Sequence, residues 1–123
     1  MRLLTTLGLI SVMACRTDKS ITIQNPAPKA DIVSHNDGDV VLEGIPTLFV
    51  GSVTDANHTP DQLTTIWYVN GDVVCDEVSP DENGETACEL ALGLEDAEIT
   101  LAVRDSENAR SEDTIVVYIE PTE

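Results

Sequence analysis

Three cysteines and two histidines are the residue types best suited to chemistry in this chain of 123 residues. Cys75 and Cys88 flank the polar stretch "DEVSPDENGETA". In an exported protein, two cysteines within one domain read most simply as a disulfide. That bond would close a loop of about 14 residues, worth on the order of 3 kcal/mol in the chain-entropy account. A zinc site would need more ligands than His35 and His58 can add. Cys15 is left over, because an odd count in an exported chain leaves one thiol without a partner inside the fold.

His35 and His58 lie in polar, loop-like stretches with no nucleophile motif or paired carboxylates beside them. Both read as exposed loop histidines, and no catalytic residue is assigned. Asp37, Asp39, Asp55 and Asp105 could offer oxygens to calcium if their loops gathered at one end of the molecule. The twelve-residue spacing of an EF-hand is missing, so solvated acidic loops are the preferred reading. No metal and no cofactor are expected. "EVSPDENGE", residues 77–85, reads as a solvated loop tip.

The chain carries 23 acidic against 6 basic side chains, a formal charge of -17. A surface this negative is repelled by phosphate backbones, so a nucleic-acid partner is excluded. High charge with few aromatics can signal disorder. Here 41% hydrophobic residues, regularly alternated with polar ones, argue for a folded unit.

Residues 1–14, "MRLLTTLGLISVMA", have one charge at Arg2, an apolar run and a small residue at the end. This is the layout of a bacterial export signal, and the run falls well short of the ~20 residues a membrane span needs. The four residues "VMAC", 12–15, resemble the lipobox of bacterial lipoproteins through Val12, Ala14 and Cys15, with Met13 a less usual occupant. By this resemblance Cys15 is the lipidated first residue of the mature protein, and the anchor is the membrane contact. Several acyl chains satisfy the need for more than one chain in stable anchoring. Arg16 follows where an aspartate would, by the same resemblance, retain the protein at the inner membrane; the outer membrane is therefore expected. Residues 15–30, with Pro26 and Pro28, read as the lipidated cysteine and an extended tether.

From residue 31 to 120 the hydrophobic pattern has period two. Ile99, Leu101 and Val103 share a face, as do Ile115, Val117 and Ile119, and Phe49, Gly51 and Val53. Gly51 marks a bulge or a close backbone approach. Trp67 and Val69 precede Asn70-Gly71, a strong hairpin signal. Cys88, Leu90 and Leu92 continue the alternation. Short strands broken by Gly, Pro, Asn and Asp predict an all-β fold, a small antiparallel sandwich of about seven strands. Asp55 and Asp105, each ending a strand, should accept amides of the following turn.

The order of landmarks resembles a bacterial immunoglobulin-like domain of the PKD type. The segments that carry it are "NPAPKADIVSHNDGDVVLEGIPTLFVGSVTD", "LTTIWYVNGD" and "AEITLAVRDSENARSEDTIVVYI". "WYVNGD" stands in place of the usual Trp-x-Phe-Gly-Asp-Gly run, and Glu107-Asn108 replaces a turn glycine. The resemblance implies a core tryptophan at Trp67 and a non-enzymatic envelope lipoprotein. Its domain would serve binding, adhesion or structure, with an unknown protein or glycan as ligand. The alternative is an accessory subunit or module of a secreted hydrolase or cell-surface complex; 123 residues leave no room for a catalytic domain beside the sandwich.

Overall fold

The alternating segments pair into eight strands in the computed structural model, which describes residues 25–122. The export signal 1–14, Cys15 and the tether as far as residue 24 lie outside the described residues. The strands are β1 (Lys29–Ile32), β2 (Val40–Leu42), β3 (Thr47–Thr54), β4 (Thr64–Val69), β5 (Asp72–Val78), β6 (Glu85–Leu90), β7 (Ala97–Arg104) and β8 (Arg110–Glu120). One sheet has the order β1-β3-β6 and the other β2-β8-β7-β4-β5.

The two sheets face each other across a single core. Phe49 and Val53 of β3 meet Trp67 of β4, Ile99, Leu101 and Val103 of β7, and Val117 of β8, all essentially without solvent exposure. These are the residues the period-two pattern assigns to the inner face. Gly51 is a point of close approach: a Cβ there would lie 2.3 Å from Leu101 Cδ2 and 3.2 Å from Trp67 Cζ2. Only a glycine lets the indole settle against β3.

The strand count exceeds the expected seven because the first edge strand is broken. β1 pairs antiparallel with β3, then the chain crosses and β2 pairs parallel with β8, Val40 opposite Tyr118. The fold is thus antiparallel except for this one pair. The crossing is held by β8, whose Val116 amide donates to Asp37 Oδ1 at 2.7 Å while its carbonyl accepts the Gly38 amide at 2.7 Å. Asp113 of β8 accepts the Ile32 amide at 2.7 Å, closing this side of the sandwich. The opposite side is closed by the Cys75–Cys88 disulfide between edge strands β5 and β6, with a Cα–Cα distance of 6.1 Å.

The sandwich also takes in part of the expected tether. Pro28 is buried and Lys29 opposes Thr54 in the β1–β3 ladder, so the packed unit takes in residues 28–30, while Pro26 and Ala27 are exposed. The Asn-Gly hairpin forms as expected: Asn70 and Gly71 have φ of 50° and 87°, the pair of positive values a two-residue type I′ turn requires.

Candidate functional site

β3 and β7 belong to opposite sheets and end at the same end of the sandwich. The first residue beyond each is an aspartate, and each aspartate holds its own turn. Asp55 Oδ1 accepts the Asn57 amide at 3.0 Å. Asp105 Oδ1 accepts the amides of Glu107 and Ala109, each at 2.9 Å. Asn108 takes φ of 70° in that turn, the left-handed conformation that asparagine tolerates better than most residues.

The turn after β3 returns His58 between the two carboxylates. His58 Nδ1 lies 3.1 Å from Asp55 Oδ1 and 3.8 Å from Asp105 Oδ2, and Nε2 lies 3.5 Å from Glu107 Oε2. The aspartate side chains are 0% exposed and His58 only 7%, whereas Glu107 is 59% exposed. Asn25, in the segment leading to β1, donates from Nδ2 to Asp105 Oδ2 at 2.9 Å. Three separate stretches of chain therefore converge here.

The electrostatics follow from that enclosure. Both imidazole nitrogens face carboxylates, which favours the cation. The hydrogen bond to Asp55 is the largest influence; burial opposes it, and the charges of Asp55, Asp105 and Glu107 add to it, so the pKa lies above its ordinary value. Burial pushes Asp105 up, but hydrogen bonds from Asn25, Ala109 and Glu107 and the charge of His58 together hold it below the usual range. Two buried oxygens, Asp55 Oδ2 and Asn25 Oδ1, have no hydrogen-bond partner among the described residues.

Of the four aspartates considered for calcium, the fold brings together Asp55 and Asp105 only. Asp37 is committed to β8, and Asp39 Oδ2 accepts the Asn36 amide at 2.9 Å within the β1–β2 loop. The member missed from sequence is His58, which is enclosed rather than exposed; its one local signal is its place three residues after Asp55. His35 is also half-buried, its ring stacked on Phe49 with centroids 4.3 Å apart. The loop at residues 79–84 is a tight turn: Asp81 Oδ1 accepts the amides of Asn83 and Glu85, each at 2.9 Å.

Three open depressions lie elsewhere on the surface of the described residues. One of about 310 Å³ lies between Pro60 and Pro80, one of about 250 Å³ is lined by Tyr68, Arg110 and Glu112, and one of about 220 Å³ by Val69, Leu92 and Leu94.

No protein-family model matches the chain, and no curated protein sequence matches it. Among solved structures, the chain is similar to the fibronectin(III)-like modules of Clostridium thermocellum CbhA. The TM-score is 0.64 and the identity 12%, over 77% of this chain and 100% of that one. It is also similar to the titin domains z1z2 solved in complex with telethonin, with a TM-score of 0.53 and 14% identity over 81% of this chain. The match spans about half of the titin chain, 51%. At such identities the likeness is one of fold: an immunoglobulin-like, fibronectin III-like β-sandwich.

Proposed function

We propose that the chain is a lipid-anchored envelope lipoprotein presenting one immunoglobulin-like domain as a non-enzymatic binding, adhesion or structural module. The Cys75–Cys88 bond carries this reading, because such bonds persist in oxidising, exported compartments. The export layout of residues 1–14 agrees with it. Cys15 is then the acylated residue, and Arg16 beside it favours the outer membrane. The PKD-type assignment within the sandwich class rests on the sequence landmarks alone. A sandwich supports many functions, so the class of ligand, protein or glycan, is carried by analogy with such modules.

Expression in a bacterium with lipoprotein machinery tests the reading. The protein should partition into detergent and gain the mass of acyl chains, and Cys15→Ser should abolish both. Recovery of the wild type as an unmodified aqueous protein would overturn it. Affinity capture from envelope extracts with the purified protein would then identify the ligand. The second reading is an accessory subunit or module of a secreted hydrolase or cell-surface complex, with which the CbhA neighbour, itself described as modules, is in keeping.

A further inference from the structure

We propose that Asp55, His58 and Asp105 form a binding site for a divalent transition-metal ion of the zinc type, with Asn25 Oδ1 as a fourth donor. One donor atom from each of the first three residues lies within 4.8 Å of the others. Ligand bonds of roughly 2.0–2.2 Å to nitrogen and oxygen place the donors of a tetrahedral zinc about 3.4 Å apart. His58 Nδ1 lies 3.1 Å from Asp55 Oδ1 and 3.8 Å from Asp105 Oδ2, separations on either side of that value, so small shifts of these side chains admit an ion between them.

Two independent observations point to a cation. The first is the pair of buried oxygens, Asp55 Oδ2 and Asn25 Oδ1, which no donor in the described chain satisfies. A buried polar atom without a partner calls for an explanation, and an ion supplies one for both. The second is charge. Asp55 and Asp105 are both fully enclosed. A protonated His58 balances only one of them, whereas a divalent ion bound by neutral imidazole balances both.

The surroundings are built to orient these donors. Each aspartate accepts turn amides at Oδ1, which fixes the carboxylate; Asp105 Oδ2 also accepts from Asn25 Nδ2, and Asp55 Oδ2 has no partner among the described residues. Glu107 stands on the far nitrogen of His58, the place an outer carboxylate takes when it orients a metal-bound histidine. The ligand set also selects the ion. Calcium wants six to eight oxygens and magnesium a near-ideal octahedron that retains water. An imidazole with two carboxylates suits zinc and its neighbours. A bound ion would fasten the ends of β3 and β7 to the segment entering β1.

The test uses the purified full chain, stripped with chelator, then titrated calorimetrically with zinc chloride and melted with zinc, calcium or magnesium at constant ionic strength. One saturating zinc equivalent is expected, with a rise in Tm that the other two ions do not produce. His58→Gln should weaken zinc binding at least tenfold and remove the Tm shift, while His35→Gln should leave both intact. Asp55→Asn is the second variant, since asparagine keeps an oxygen for the Asn57 amide and so preserves the turn. No saturable zinc binding by the wild type would overturn the proposal, and so would zinc binding that survives His58→Gln or Asp55→Asn unchanged. In the latter case the metal sits elsewhere.

Discussion

The indole N–H of Trp67, on β4, donates to Oγ1 of Thr86, on β6, at 3.2 Å, so the core tryptophan is hydrogen-bonded from one sheet to the other. The relay continues with a fixed direction. Thr65 Oγ1 donates to the Val78 carbonyl at 3.0 Å, which leaves the Thr86 hydroxyl as donor in the 3.0 Å contact between the two threonines. Tryptophan has only a donor, so it must begin the chain. Every side-chain member is buried.

Thr86→Val keeps the shape and removes the middle of that relay. It strands a buried N–H and should destabilise the fold by about 1–3 kcal/mol, whereas Thr86→Ser should cost far less. Trp67 is the single tryptophan, so urea unfolding followed by its fluorescence reads the site directly. Equal stability of the valine variant and wild type would show that the relay contributes nothing.

Gly51→Ala tests the packing of the same ring and of Leu101 against β3. Its Cβ would meet Leu101 Cδ2 at 2.3 Å and the Asp31 carbonyl at 3.2 Å. Leu101 is fully enclosed and has nowhere to turn, so overpacking should cost about 1–3 kcal/mol in the same urea assay. The cost should shrink when Leu101→Val is added, and strict additivity of the two changes would argue against a shared clash.

The sandwich was legible because its inner residues alternate without interruption along β3, β7 and β8, and because Asn70-Gly71 names its own turn. The caps at Asp55 and Asp105 were legible for the same local reason. Two features were not. β2 is three residues long and only Val41 points inward, too little for a period to register. The enclosure of His58 depends on two strand ends from different sheets meeting over it, and on Asn25 arriving from the leading segment. Nothing in a window around residue 58 carries that information.

Cys75→Ala should lower stability by roughly 2–4 kcal/mol, since the bond constrains a loop of about 14 residues in the unfolded chain. β5 makes the loss more telling. Apart from half-buried Cys75, all of its residues are exposed, and its ladder to β4 is irregular at Thr65 and Trp67. Hydrogen exchange should therefore quicken along β5 before it does along β7. Peptide mapping without reductant should recover Cys75 joined to Cys88, and two freely alkylated thiols in the exported protein would contradict it.

His58 and Asp105 set opposite limits on stability in the metal-free protein. His58 is raised above its ordinary 6.5, first by the hydrogen bond to Asp55. Its contribution is complete below the unfolded value and is lost as pH rises through the folded one. Burial pushes Asp105 up, yet hydrogen bonds and the His58 charge leave it below its ordinary 3.8. Its contribution is present above that value and fades as pH falls through the lower, folded pKa. Both are therefore in force between 3.8 and 6.5. Urea unfolding in chelator, from about pH 4 to about pH 9, should show stability declining on the alkaline side. That limb should flatten in His58→Gln, because the raised pKa of His58 is what ties stability to its proton. If the two proteins decline in parallel above 6.5, the imidazole is not gaining its proton's worth of stability from Asp55 and Asp105.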